Sequence, residues 1–131
     1  MKPTSGAWLE IAEEDLDAAE AMLTTGRYLY AGFEAQQAAE KAMKAVIQEA
    51  MRVPPKVHNG NLVVLADRAG LCDVALVHRL AVLSSYYGAT RYPEDREVIG
   101  QRTTADVARA LINTAREVLA WARVQLTSQE S

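Results

Sequence analysis

The chain has 131 residues, half of them hydrophobic and 24% charged; that length supports one domain over residues 1–131 with a core of its own, and that composition excludes a disordered polymer. A net charge of −3 removes any global electrostatic case for nucleic-acid binding, so such a site has to be local. The single cysteine, Cys72, excludes an intrachain disulfide, and no cysteine–histidine set has zinc-ligand spacing, so neither a metal nor a cofactor is expected.

Alanine is frequent and β-branched residues dominate no window, which favours helix throughout. The first helix is expected from about Ser5 to Thr25, where Trp8, Ala12, Leu16, Ala19 and Leu23 make one apolar face and Gly26 supplies the stop. Glu10, Glu13, Glu14, Asp15, Asp17 and Glu20 make the rest of that helix an acidic outer surface. A second helix, about Tyr28 to Met51, carries Ala31, Ala35, Ala38, Ala42 and Ala45 on its apolar side and ends at Pro54-Pro55. A short helix fits Asn61 to Ala69, built on Leu62, Leu65 and Ala66 and stopped by Gly70. Asp73 caps a fourth helix running through Tyr87, with Leu76, Leu80, Leu83 and Tyr87 facing inward. Residues from Gly88 to about Arg102 read as the longest irregular loop. Thr103 and Asp106 form an acidic version of the capping box for the last helix, whose stripe is Ala108, Leu111, Ile112, Ala115, Val118, Leu119, Ala122 and Leu126. The expected fold is all-α, an antiparallel up-and-down bundle of about five helices, three of them long. No basic-then-apolar leader begins the chain and no uncharged apolar run reaches the ~18 residues of a spanning helix, which points to a soluble cytoplasmic protein without membrane association.

Two segments stand out against this background. Gln37, Glu40, Lys41 and Lys44 put a polar stripe into the Ala-rich second helix, next to Phe33. It reads either as a solvated face held by local pairs such as Glu40–Lys44, each worth ~0.2–0.5 kcal/mol, or as an interhelical polar network or phosphate-contacting surface. In Arg91-Tyr92-Pro93, the proline restricts Tyr92 to extended geometry and Gly88 lets the chain turn just before. Arg91 then either grips a phosphate or carboxylate, or bonds the carbonyls ending the fourth helix or pairs with Asp95 while Tyr92 plugs the core. His58 lies in the loop before the third helix, and His78 reads as a surface residue. Arg102, Arg109, Arg116 and Arg123 recur every seven residues and align on one side of a helix, either as a phosphate-tracking strip or as the complement of the acidic first helix. No phosphate loop, Ser/His/Asp arrangement or histidine–carboxylate metal motif occurs. Cys72 reads as a small buried hydrophobe.

These residues together resemble the HEPN domain family (higher eukaryotes and prokaryotes nucleotide-binding). The similarity runs through Trp8, Ala12, Asp15-Leu16, Ala19, Gly26, Tyr28 and Phe33. It continues in Gln37-Ala38-Ala39-Glu40-Lys41, Lys44, His58, Leu62 and Leu65, and closes with Arg91-Tyr92-Pro93. The resemblance implies a bundle that commonly dimerises, here as a homodimer, and associates with nucleotides or RNA. It also implies a nucleotidyltransferase partner, in some pairs as antitoxin to a ribonuclease toxin. Ribonuclease members carry a late Arg-x(4–6)-His motif, and here no histidine follows His78, so the usual acid–base for 2′-hydroxyl attack is missing. The leading expectation is therefore a nucleotide- or nucleic-acid-binding module with Gln37, Lys41, Lys44, His58, Arg91 and Tyr92 as ligand contacts and no assigned catalytic residue. The alternatives are an unusual ribonuclease using Arg91 with His58 brought from elsewhere, and a non-catalytic dimerisation module in which these residues are structural.

Overall fold

The computed structural model describes residues 1–51 and 61–128. Among them are six α-helices and no strand: α1 Pro3–Thr24, α2 Tyr28–Ala50, α3 Leu62–Ala69, α4 Val74–Ser84, α5 Pro93–Arg102 and α6 Ala105–Ser128. Contacts between side chains fix their directions. Lys2 meets Glu49, Trp8 meets Lys44 and Asp15 meets Lys41, so α1 and α2 are antiparallel. Glu20 with Arg116 and Glu13 with Arg123 set α6 against α1, and Arg79 with Glu117 sets α4 against α6. Thus α1 and α4 run one way while α2 and α6 run the other, which is the expected up-and-down bundle.

Helix α2 is the central element. Thirteen of its 23 residues are buried, spread around the whole circumference instead of along one stripe, as a helix packed on several sides requires. Its alanines let α1 and α6 approach closely. Met43, Leu62, Leu65, Leu80, Leu83, Leu119 and Leu126 fill the spaces between helices and are fully buried, each contributing roughly 1.5–3 kcal/mol.

The end of α1 is set by Gly26, whose φ of +76° is in the left-handed region that favours glycine. The amide of Gly26 donates to Leu23 O and that of Arg27 to Met22 O, the paired bonds of a Schellman stop. Arg27 is thereby fixed at the start of α2. At Gly32 the constraint is space. A methyl group there would sit 2.6 Å from the Tyr86 ring and 3.1 Å from Leu111, so the ring lies directly on the α2 backbone.

Several expectations are corrected. Residues 88–102 are not one irregular loop, because Pro93 at the first helical position and Glu94 and Asp95 in the first turn start α5. The fourth helix tightens at its end into a 3-10 turn, Ser85–Tyr87, which advances each side chain by about 120° instead of 100°. Tyr86, not Tyr87, consequently points into the core. Thr104, not Thr103, caps α6 by accepting from Val107 N at 3.2 Å. Thr103 is used otherwise: Tyr86 Oη lies 2.7 Å from its hydroxyl, which donates to Ile99 O at 2.6 Å. Since the threonine hydroxyl has one proton, Tyr86 is the donor to it. Cys72 is exposed, because Leu71 takes the buried position after the Gly70 turn and the thiol faces out with a bond to Gly70 O. The cap Asp73 is as expected, accepting from Leu76 N, while Asn61 stands just before α3 and caps it by accepting from Val63 N and Val64 N.

Candidate functional site

The two segments singled out by the sequence lie in different places. Tyr86, just before the Arg91 segment, rests on Gly32. Lys41 is nine residues further along α2, which is about 13 Å of rise and about 180° around the axis. Gln37, Lys41 and Lys44 therefore face α1, while Arg91 and Tyr92 lie beyond the end of α4. His58 falls outside the described residues.

The polar stripe is a connected network at the α1–α2 interface. Gln36 is fully buried and donates to Glu40 Oε1 at 3.3 Å, and Gln37 donates to Gln36 Oε1 at 2.6 Å. Lys41 Nζ donates to Gln37 Oε1 at 3.2 Å and to Asp15 Oδ2 at 2.8 Å. Lys44 Nζ donates to Glu40 Oε2 at 2.9 Å and lies 5.3 Å from the centre of the Trp8 ring. Glu40 is only 7% exposed. Both lysines are thus compensated by carboxylates of the same chain. Of the readings the sequence leaves open, the interhelical network describes this geometry and the solvated face does not. The sequence reading missed Gln36 and the role of Asp15. The signal for Gln36 was a glutamine beside Gln37 in a helix whose other small residues demand burial nearly all round.

At the edge of this network, Glu34 is held above the ordinary glutamate range, first by burial and then by the neighbouring Asp15, with Lys41 pulling it back. The arginines of α6 are likewise spoken for. Arg116 bonds Glu20, Arg123 bonds Glu13 at 3.0 Å and Arg109 bonds Asp106 at 2.7 Å. They complement the acidic first helix and their own first turn. Arg102 belongs to the last turn of α5 and not to this row.

Arg91 differs from the paired arginines of α6. Its side chain is exposed, its guanidinium lies 4.5 Å from the centre of the Tyr87 ring, and it donates to Tyr87 Oη at 3.3 Å. It pairs with no carboxylate, neither Asp95 nor any other described one, and bonds no helix carbonyl. Such a cation–π contact contributes roughly 0.5–1 kcal/mol at an exposed site. It fixes the plane of the fork and leaves most of its five N–H donors open. Tyr92 has the extended backbone that Pro93 imposes. It is 59% exposed, so it does not plug the core. One turn later Arg96 lies over the Tyr30 ring at 5.5 Å. No group of three or more His, Cys, Asp or Glu side chains placed to hold a metal ion occurs among the described residues, and no described helix is long and apolar enough to cross a membrane.

A HEPN domain model matches residues 5–125, nearly the whole chain. The chain belongs to the HEPN domain family. The bundle of this HEPN domain is similar to TT1696 from Thermus thermophilus, with 28% identity over 95% of this chain and 99% of that one and a TM-score of 0.79. It is also similar to ST0689, an archaeal HEPN homologue, with 27% identity over 95% of this chain and 98% of that one and a TM-score of 0.72. A search of curated proteins finds no match.

Proposed function

We propose that this HEPN domain is a non-catalytic module that binds a nucleotide or single-stranded RNA through Arg91 and Tyr92. The observation that carries this reading is the state of Arg91: an arginine fork held in plane by the half-buried Tyr87, exposed, with no carboxylate partner among the described residues, and followed by the exposed Tyr92. Arginine forks suit phosphate and exposed tyrosines stack on bases without demanding sequence. Glu94 and Asp95 follow in the first turn of α5, so the surface has little long-range attraction and affinity comes from direct contact. Gln37, Lys41 and Lys44 support the module by joining α1 to α2 and do not touch the ligand. Acid–base cleavage would need an imidazole at Arg91. The described histidine, His78, precedes Tyr87 by nine residues on the same element, roughly 13 Å along a helix axis.

Membership in the family supports the rest of the proposal, a homodimer acting with a nucleotidyltransferase partner in a toxin–antitoxin-like pair. A fluorescence-anisotropy titration with a labelled single-stranded oligoribonucleotide tests the binding role, with the same samples run on a denaturing gel. Saturable binding lost in Arg91→Ala, with the strand intact, is the expected result. Cleavage of the strand by purified protein would replace the binding role with a ribonuclease one.

A further inference from the structure

The turn between α1 and α2, together with α5, borders a depression of about 340 Å³ whose wall includes Arg27, Tyr28, Tyr30, Arg96, Gly100 and Thr103 and, among the described residues, no carboxylate. We propose that this depression is a binding site for a phosphate monoester, with Arg27 and Arg96 holding the anion. It is distinct from the Arg91 surface, since Arg91 is not in its wall, and it stands whether or not that surface binds RNA.

Charge carries the argument furthest. The chain is acidic overall, and Arg79, Arg109, Arg116 and Arg123 all have carboxylate partners. Arg27 has neither an ion pair nor a side-chain hydrogen bond among the described residues, and Arg96 touches only the Tyr30 ring. Two guanidiniums without a carboxylate partner among the described residues line one depression, and an anion bound there is attracted by both. Guanidinium forks match phosphate oxygens two at a time. The position of Arg27 is not loose either, because the Schellman stop at Gly26 fixes its backbone.

Local chemistry favours the same ligand. Helix α2 begins at this wall with no side-chain cap and no acidic residue in its first turn, so no side chain of that turn competes with an incoming anion there. Size limits what enters. Pockets for small ligands run from roughly 300 to 1,000 Å³, and a volume at the low end matches a phosphate with a small organic group, flanked by Tyr28 and Tyr30.

The test is an amide chemical-shift titration of the ¹⁵N-labelled full chain with inorganic phosphate and with phenyl phosphate, at constant ionic strength, using phenol as the uncharged control. The expected result is saturable movement of the Gly26, Leu29, Gly100 and Thr103 amides by both anions and not by phenol. Arg27→Gln and Arg96→Gln should each weaken binding at least tenfold, while Arg123→Gln, which pairs with Glu13 away from the depression, leaves it unchanged. Should either glutamine variant lose its dispersed spectrum, Arg27→Lys or Arg96→Lys takes its place. The charge is then kept, the fork is lost and weaker binding is still expected. No saturable shift at the depression, equal binding by these variants, an equal loss in Arg123→Gln or movement by phenol alone would each overturn the proposal. Loss of RNA binding with phosphate binding retained would remove the Arg91 reading and leave this one standing.

Discussion

A double-mutant cycle on Glu40 and Lys44 measures whether the polar stripe is part of the core. The perturbations are Glu40→Ala, Lys44→Met (which keeps most of the stem beside Trp8) and the two together. Glu40 is 7% exposed and accepts from Lys44 at 2.9 Å and Gln36 at 3.3 Å. A hydrogen bond to a charged group contributes about 1.5–3 kcal/mol and a long neutral-donor one nearer 0.5–1.5, so Glu40→Ala should cost about 2–4 kcal/mol. The coupling between the two positions should be about 1–2 kcal/mol, against ~0.2–0.5 for a solvated pair at the same spacing. Urea denaturation reads this directly. With a slope of about 1–3 kcal/mol/M, the coupling displaces the midpoint by roughly 0.3–2 M relative to additivity, and 0.5 M sodium chloride should erode little of it. A coupling under about 0.5 kcal/mol that salt abolishes would refute the network and restore the solvated face.

Gly32→Ala should destabilise by up to about 2 kcal/mol, because the clash with the Tyr86 ring costs roughly 1–3 kcal/mol and better helix propensity returns about 1; a midpoint shift in urea of the opposite sign contradicts the close approach. Glu34 has a raised folded-state pKa, so its favourable contribution is full below the unfolded value and is lost as pH rises through the folded one. Glu34→Gln should therefore stabilise the chain at neutral pH, the gain fading toward pH 4, roughly the free carboxylate range; thermal unfolding across that range checks the sign. Oligoribonucleotide affinity should fall only shallowly with salt, with a log–log slope of about −0.7 to −1.4 for one or two phosphate contacts; a slope several times steeper would mean a basic strip that the Arg91 surface does not provide.

Helix positions and the bundle were legible because alanine content, apolar periodicity and the Gly26, Gly70 and Asp73 signals all agree. Helix α5 was not, since its residues are mostly exposed and carry no apolar stripe; only Pro93 with the acidic turn behind it marks the start. The swap of Tyr86 for Tyr87 arises from a change of helical pitch that periodicity counted at 100° cannot see, although Gly32 inside an Ala-rich helix was a sign of close approach. The stripe was recognised, but its burial was not, because a helix packed on several sides hides polar residues that a one-faced helix would expose. Which arginines lack partners is a property of the tertiary structure. The seven-residue spacing of the arginines is visible in the sequence, whereas the carboxylates that pair with three of them are not.

The most direct test of the division between structural stripe and binding surface is oligoribonucleotide affinity measured side by side for Arg91→Ala and Lys41→Ala, each checked for folding by circular dichroism. The account predicts at least a tenfold loss for Arg91→Ala and parent-like affinity for Lys41→Ala despite lower stability. Parent-like binding by Arg91→Ala with loss in a folded Lys41→Ala would contradict it.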